Sequence, residues 1–199
     1  MLRRPRAIAA AAVAAIVSAI AAAPASADVV FSDCDTPASS PVFSPWLDTT
    51  PYFLAPDGGF EAGAAGWDLD GASVVAGNES FELSGPGVWT LALSAGDAAT
   101  SPAVCVGAEH PTFRFVARKS SGLPTAQLRV QVVLPDDRAF TVGSMPSGSS
   151  WAPSPIMFVG ANFLPLLTDG DSIDVRFRFT PTAGTWQIDD FYVDPRGGN

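Results

Sequence analysis

The sequence predicts an all-β protein, an antiparallel β-sandwich of jelly-roll type with a Pro-rich N-terminal arm. Three observations carry that expectation. From residue 60 onward apolar residues recur with a period of two, turn-forming clusters separate the alternating runs, and prolines at 37, 41, 45, 51 and 56 forbid a long helix before them.

The alternation is cleanest in three runs. Phe113, Phe115 and Ala117 alternate with Arg114, Val116 and Arg118; Leu128, Val130, Val132 and Leu134 share a face opposite Gln127, Arg129 and Gln131. Ile173, Val175, Phe177 and Phe179 alternate with Asp174, Arg176 and Arg178. Each pattern puts one strand face on a core and the other in water. Shorter strands are expected at 73–76, 80–83, 88–93, 103–106, 139–142 and 186–193. Turns are expected at Ser84-Gly85-Pro86-Gly87, Pro135-Asp136-Asp137, 147–150 and Asp169-Gly170-Asp171. Residues 159–167 are apolar but limited by Pro165, which suits a short helical or irregular crossover. No repeat of the length used by solenoids or propellers is visible.

Ahead of the sandwich the chain divides in two. Arg3, Arg4 and Arg6 precede an uncharged run from 7 to 23, and Pro24 and Ala25-Ser26-Ala27 follow, which is the layout of a cleaved export signal over residues 1–27. The run is short for a spanning helix, so the expectation is a secreted, extracellular protein with no membrane attachment after cleavage. Residues 28–56 are rich in Pro, Ser and Asp yet contain Phe43, Trp46, Tyr52 and Phe53. A solvated linker would not carry four aromatics. They predict an arm packed on the sandwich domain, 57–199.

Beyond residue 27 the chain has 8 Lys and Arg against 20 Asp and Glu, a net charge of −12. That balance repels phosphate backbones and anionic headgroups, excluding nucleic acid and membrane surfaces as partners, and favours cations. Cys34 and Cys105 both lie in the exported part, and an oxidising compartment predicts one bridge between them.

Nucleophilic catalysis finds little footing. His110 is the one histidine, placed before Pro111 and expected to be a surface or loop residue; no Gly-x-Ser-x-Gly elbow is present. Asp136-Asp137 fits a solvated turn. Asp189-Asp190 lies within an apolar run, and neighbours on a regular strand point to opposite faces, so the two should not cooperate. Asp68, Asp70 and Glu79 match three positions of a helix-loop-helix calcium pattern, but Ser73 stands where the loop needs glycine.

The segment Gly58-Gly59-Phe60-Glu61-Ala62-Gly63-Ala64-Ala65-Gly66-Trp67 resembles the opening of galactose-binding-like jelly-roll carbohydrate-binding modules. Trp186-Gln187-Ile188-Asp189-Asp190-Phe191-Tyr192-Val193 resembles their last strand, and Val175-Arg176-Phe177-Arg178-Phe179 their penultimate one. The resemblance implies that opening and closing strands meet and hold a structural Ca2+ ion, with Glu61 and Asp189, or Asp190, as ligands. It also implies that Trp67 and Trp186 are core. The arm, Ser101-Pro102-Ala103-Val104-Cys105-Val106-Gly107, Gly77-Asn78-Glu79 and Pro111-Thr112-Phe113-Arg114-Phe115 resemble a group of secreted actinobacterial proteins, which implies no activity.

Function follows the resemblance. A non-catalytic module binding carbohydrate or cell-wall glycan leads, with an extracellular structural or protein-interaction scaffold as the alternative and a small polysaccharide-active enzyme third. Sugar rings stack on exposed aromatics, and Trp46, Trp89 and Trp151 are the candidates for that role.

Overall fold

The computed structural model describes residues 34–35, 37–164 and 171–195. The expected export signal and residues 165–170, which include part of the expected crossover and of the Asp169-Gly170-Asp171 turn, lie outside the described residues. So does Arg196.

Two antiparallel sheets close over one core, the expected sandwich. The first is built from β1 (Phe53–Leu54), β3 (Ser73–Ala76), β4 (Trp89–Ser94), β7 (Thr112–Ser121), β10 (Ala152–Pro153), β11 (Met157–Phe158) and β13 (Thr185–Val193). Its order is β10-β7-β13-β4-β3, with β1 also on β13 and β11 also on β7. The second contains β2 (Asp68–Asp70), β5 (Ala98–Thr100), β6 (Val104–Gly107), β8 (Gln127–Val133), β9 (Ala139–Pro146) and β12 (Ser172–Pro181). Its order is β2-β5-β12-β8-β9, with β6 also on β12. Short 3-10 turns occupy Ser44–Trp46 and Ala161–Phe163, the latter within the expected crossover.

The period-two runs drive this closure. Phe113, Phe115, Phe177, Phe179, Trp186 and Phe191 are all completely buried between the sheets. Their rings meet at angles, such as Phe113 on Phe177 at 4.8 Å and Phe177 on Phe191 at 5.0 Å. Trp67 and Trp186 are core, as the resemblance implied.

One expected strand is absent. Residues 80–83 form a loop, because Glu79 turns inward and gathers the backbone amides of Phe81 and Leu83 on its carboxylate. Side-chain acceptors of this kind compete with a sheet ladder for the same N–H groups.

The arm does more than lie on the surface. Tyr52 exchanges backbone hydrogen bonds with Ser40, and β1 pairs with the closing strand through Phe53↔Val193 and Leu54↔Tyr192. Cys34 is bonded to Cys105 of β6, the one bridge expected of the two cysteines, tying the arm's start to the second sheet. Phe43, Tyr52, Val116 and Tyr192 then form a small second core on the outer side of the first sheet.

Candidate functional site

Three places concentrate polar chemistry. The first lies under the arm. Arg114 points outward from β7 but is buried. Its Nη1 donates to Asp48 Oδ2 at 2.9 Å, its Nε and Nη2 donate to the Ser154 carbonyl, and the guanidinium lies 4.5 Å from the Phe43 ring centre. Tyr52 Oη also donates to Asp48 Oδ2, at 3.0 Å. Burial pulls the Asp48 carboxyl upward, but the hydrogen bonds from Arg114 and Tyr52 outweigh it and leave the group below its ordinary value. The sequence had shown Arg114 only as the polar half of an alternating strand; nothing local announced a cover.

The second place is the closing strand. Asp189 pairs with Val116 but Tyr192 pairs with Arg114, so β13 carries an extra residue here. Asp190 takes it up in the left-handed region at φ 49°. This bulge corrects the expectation that Asp189 and Asp190 point apart: both are buried and both reach the 77–84 loop. Asp189 Oδ2 accepts the Glu79 N–H at 3.0 Å, and Asp190 Oδ2 accepts the Ser84 N–H at 3.2 Å. Glu79, itself buried, was missed as a partner because its signal is only a Gly-Asn-Glu turn. Burial, followed by the neighbouring Asp190 charge, pushes the Asp189 carboxyl up to about 8. Burial and the Glu79 charge push Asp190 upward as well, against the hydrogen bonds from Ser84.

The opening segment does meet this strand. Gly58 accepts the Phe191 N–H at 3.0 Å, and a Cβ on Gly58 would lie 2.5 Å from the Phe191 carbonyl, so glycine is required there. A Cβ on Gly59 would lie 3.3 Å from Asp190 Oδ1, an oxygen that is buried and accepts no hydrogen bond. Glu61 is exposed, and its Oε1 accepts the N–H groups of Val88 and Trp89 at 2.8 and 3.0 Å. Among the described residues no three Asp, Glu, His or Cys side chains are grouped as a metal cage. Asp190 Oδ1 is thus the carboxylate oxygen here that suits a cation, while both oxygens of Asp189 are occupied by backbone donors.

The third place is the outer face of the second sheet. One row across it runs Asp68, Thr100, Arg178, Gln131, Thr141, each paired with the next. A second runs Thr180, Arg129, Ser144. Nothing described covers Arg129, Gln127, Asp68 or Asp70, which are exposed.

The stacking candidates separate. Trp89 is 41% exposed. Trp46 packs on Phe43 and Phe81, at 6.3 and 4.7 Å, and Trp151 lies with its ring centre 4.7 Å from the Arg118 guanidinium. His110 lies in a loop, one of the two placements expected, but it is not on the surface. It is fully buried in the turn between β6 and β7, where Nδ1 accepts the Gly107 N–H at 3.1 Å. Burial holds its pKa below the ordinary value, against the pull of Glu109.

No protein-family model and no curated protein sequence matches the chain. Solved structures do share its architecture. The xylan-binding CBM22-1 domain of Paenibacillus barcinonensis Xyn10C superposes with a TM-score of 0.50 at 14% identity, covering 74% of this chain and 99% of that domain. The CBM22-1–GH10 modules of Clostridium thermocellum xylanase 10B, complexed with xylohexaose, give 0.52 at 13% identity over 74% of this chain. The chain spans 28% of that xylanase structure. The fold is therefore the jelly-roll sandwich that carbohydrate-binding modules use.

Proposed function

We propose that the protein is a secreted, non-catalytic module of galactose-binding-like type that binds an extracellular carbohydrate or cell-wall glycan. The observation that carries this reading is the open outer face of the second sheet. There guanidinium, amide, hydroxyl and carboxylate groups lie in register on rigid strands, the donor and acceptor array that a hydroxyl-rich ligand requires. A fold shared with xylan-binding domains supports it by analogy. Trp89 supplies an exposed indole for a second, stacking contact on the other sheet.

A glycan array with insoluble-polysaccharide pull-down tests the reading on the mature chain. Binding to at least one glycan, weakened by Arg178→Ala or Trp89→Ala, is the expected result. Binding to no glycan overturns it. That outcome would favour the scaffold reading, for which the exposed Phe158, Phe163 and Ile156 supply an apolar surface.

A structural calcium ion belongs to the same proposal. Asp190 Oδ1 would be its protein anchor, with Asp189 and Glu79 the buried acids beside it, Glu61 the further ligand that the resemblance implies, and backbone carbonyls or water completing its oxygen shell. The ion would neutralise carboxylates crowded where the chain's opening and closing segments meet. Thermal melting with excess calcium and with chelator decides it: a higher midpoint with calcium is expected, and an unchanged one removes the ion.

A further inference from the structure

We propose that the ligand of the open face is an anionic glycan bearing carboxylate groups, and that Arg129 and Arg178 are the residues that select it. This rests on the glycan-binding reading of that face and names the substrate class.

The inference begins with where the positive charges go. Beyond residue 27 there are only 8 basic residues, and the structure accounts for most of them. Arg114 is buried against Asp48, and Arg118 donates to Gln187 beneath Trp151. Lys119 donates to the carbonyls of Gly122 and Leu123. Arg138 pairs with Asp136 and Arg176 with Asp137, both at 2.6 Å. Arg129 and Arg178 make no ion pair among the described residues. Although the residues beyond 27 sum to a net charge of −12, these two guanidinium groups have no carboxylate partner among the described residues.

Both stand on the outer face of the second sheet. Arg178 is opposite Gln131 and Arg129 is opposite Thr180, which makes the arginines diagonal neighbours on adjacent strands. Such positions lie about 7–8 Å apart, within joint reach of long side chains. Like charges held so close repel unless an anion comes between them. Asp68 is the nearest acid in the Arg178 row, but it sits beyond Thr100, two strand spacings or about 10 Å away. Arg178 Nε donates to Thr100 Oγ1 at 3.2 Å, which anchors one edge of the guanidinium. An oriented fork of this kind suits bidentate contact with a carboxylate.

The same rows hold no aromatic side chain. A neutral pyranose would find no ring to stack on there, whereas a sugar acid would find two cations with an amide and hydroxyls beside them. Exposed Asp68, Asp70 and Asp174 at the margins disfavour a densely charged polyphosphate, for which two arginines offer too little compensation.

The test compares polygalacturonate, its carboxyl-reduced neutral counterpart and inorganic polyphosphate as probes, by affinity electrophoresis or calorimetry on the mature protein. Polygalacturonate should bind, should weaken with added salt, and should lose about tenfold in affinity with Arg129→Gln and again with Arg178→Gln, as charge-assisted hydrogen bonds of ordinary strength predict. Arg138→Gln, in a solvated turn, should change nothing. Equal binding of the carboxyl-reduced polymer would overturn the anionic assignment while leaving the glycan-binding reading intact. Preference for polyphosphate, or polygalacturonate binding indifferent to both substitutions, would also overturn it. Failure to bind any glycan on the array would remove the underlying reading, and this inference with it.

Discussion

Val116 on the outer face of the first sheet has no exposed surface, whereas Arg129, on the outer face of the second, is exposed. Both belong to strands with the same period-two pattern, and both inner faces fill the same core. The difference is the arm. Residues 40–54 fold back over β7 and β13, bury Phe43 and Tyr52 against Val116 and Tyr192, and convert one solvent face into a second core. No described segment does this for the other sheet. A sandwich needs only its inner faces buried to fold, so covering one outer face adds stability and leaving the other bare keeps it accessible to a ligand. The two faces thus divide the work of holding the molecule together and of meeting other molecules.

That division can be broken most directly at the bridge. Replacing Cys34 and Cys105 together by Ser should lower stability by about 4 kcal/mol, the loop-entropy value for closing roughly 70 residues, as read by denaturant unfolding. A loss below about 1 kcal/mol would mean that aromatic packing alone holds the arm. Next in size is Asp48→Ala, which strands the buried Arg114 charge. A loss of about 3 kcal/mol is expected, with partial recovery when Arg114→Met is added. No recovery would show that the arm does not depend on charge pairing.

A smaller effect sits at the seam between the sheets. Burial keeps the folded-state pKa of His110 below its ordinary value of 6.5, so the unfolded chain takes up that proton more readily. The stability this residue contributes is present above pH 6.5 and is lost as pH falls through the depressed folded value. The fall in melting temperature between pH 7 and pH 5 should therefore be less steep in His110→Phe than in the wild type. Parallel curves would place the acid sensitivity elsewhere. The smallest effect is expected on the open face, where Arg129→Gln should change stability by no more than about 0.5 kcal/mol. A larger loss would mean that the face is structural after all.

Legibility from sequence tracked the range of the interactions concerned. The long strands at Thr112–Ser121, Gln127–Val133 and Ser172–Pro181 were announced by their own alternation, because side-chain direction on a strand is a local property. The 77–84 loop was not. Its shape depends on Asp189 and Asp190, more than a hundred residues away in the chain, accepting its backbone amides. The bulge at Asp190 was hidden for the same reason, since a Pro-free, apolar run gives no local sign that one residue must step out of register.

By itself the sequence determined the all-β class, the Cys34–Cys105 pairing and an arm that packs, while the core roles of Trp67 and Trp186 came only through the resemblance to carbohydrate-binding modules. Period, turn chemistry and cysteine count are written residue by residue. Only the tertiary structure decided which sheet the arm covers, that His110 and Arg114 are buried, that Glu79, Asp189 and Asp190 meet, and that Arg129 and Arg178 stand together with no carboxylate partner among the described residues. Those facts depend on which distant surfaces come into contact, and burial and pairing across such contacts are properties of the closed sandwich, not of any stretch of chain.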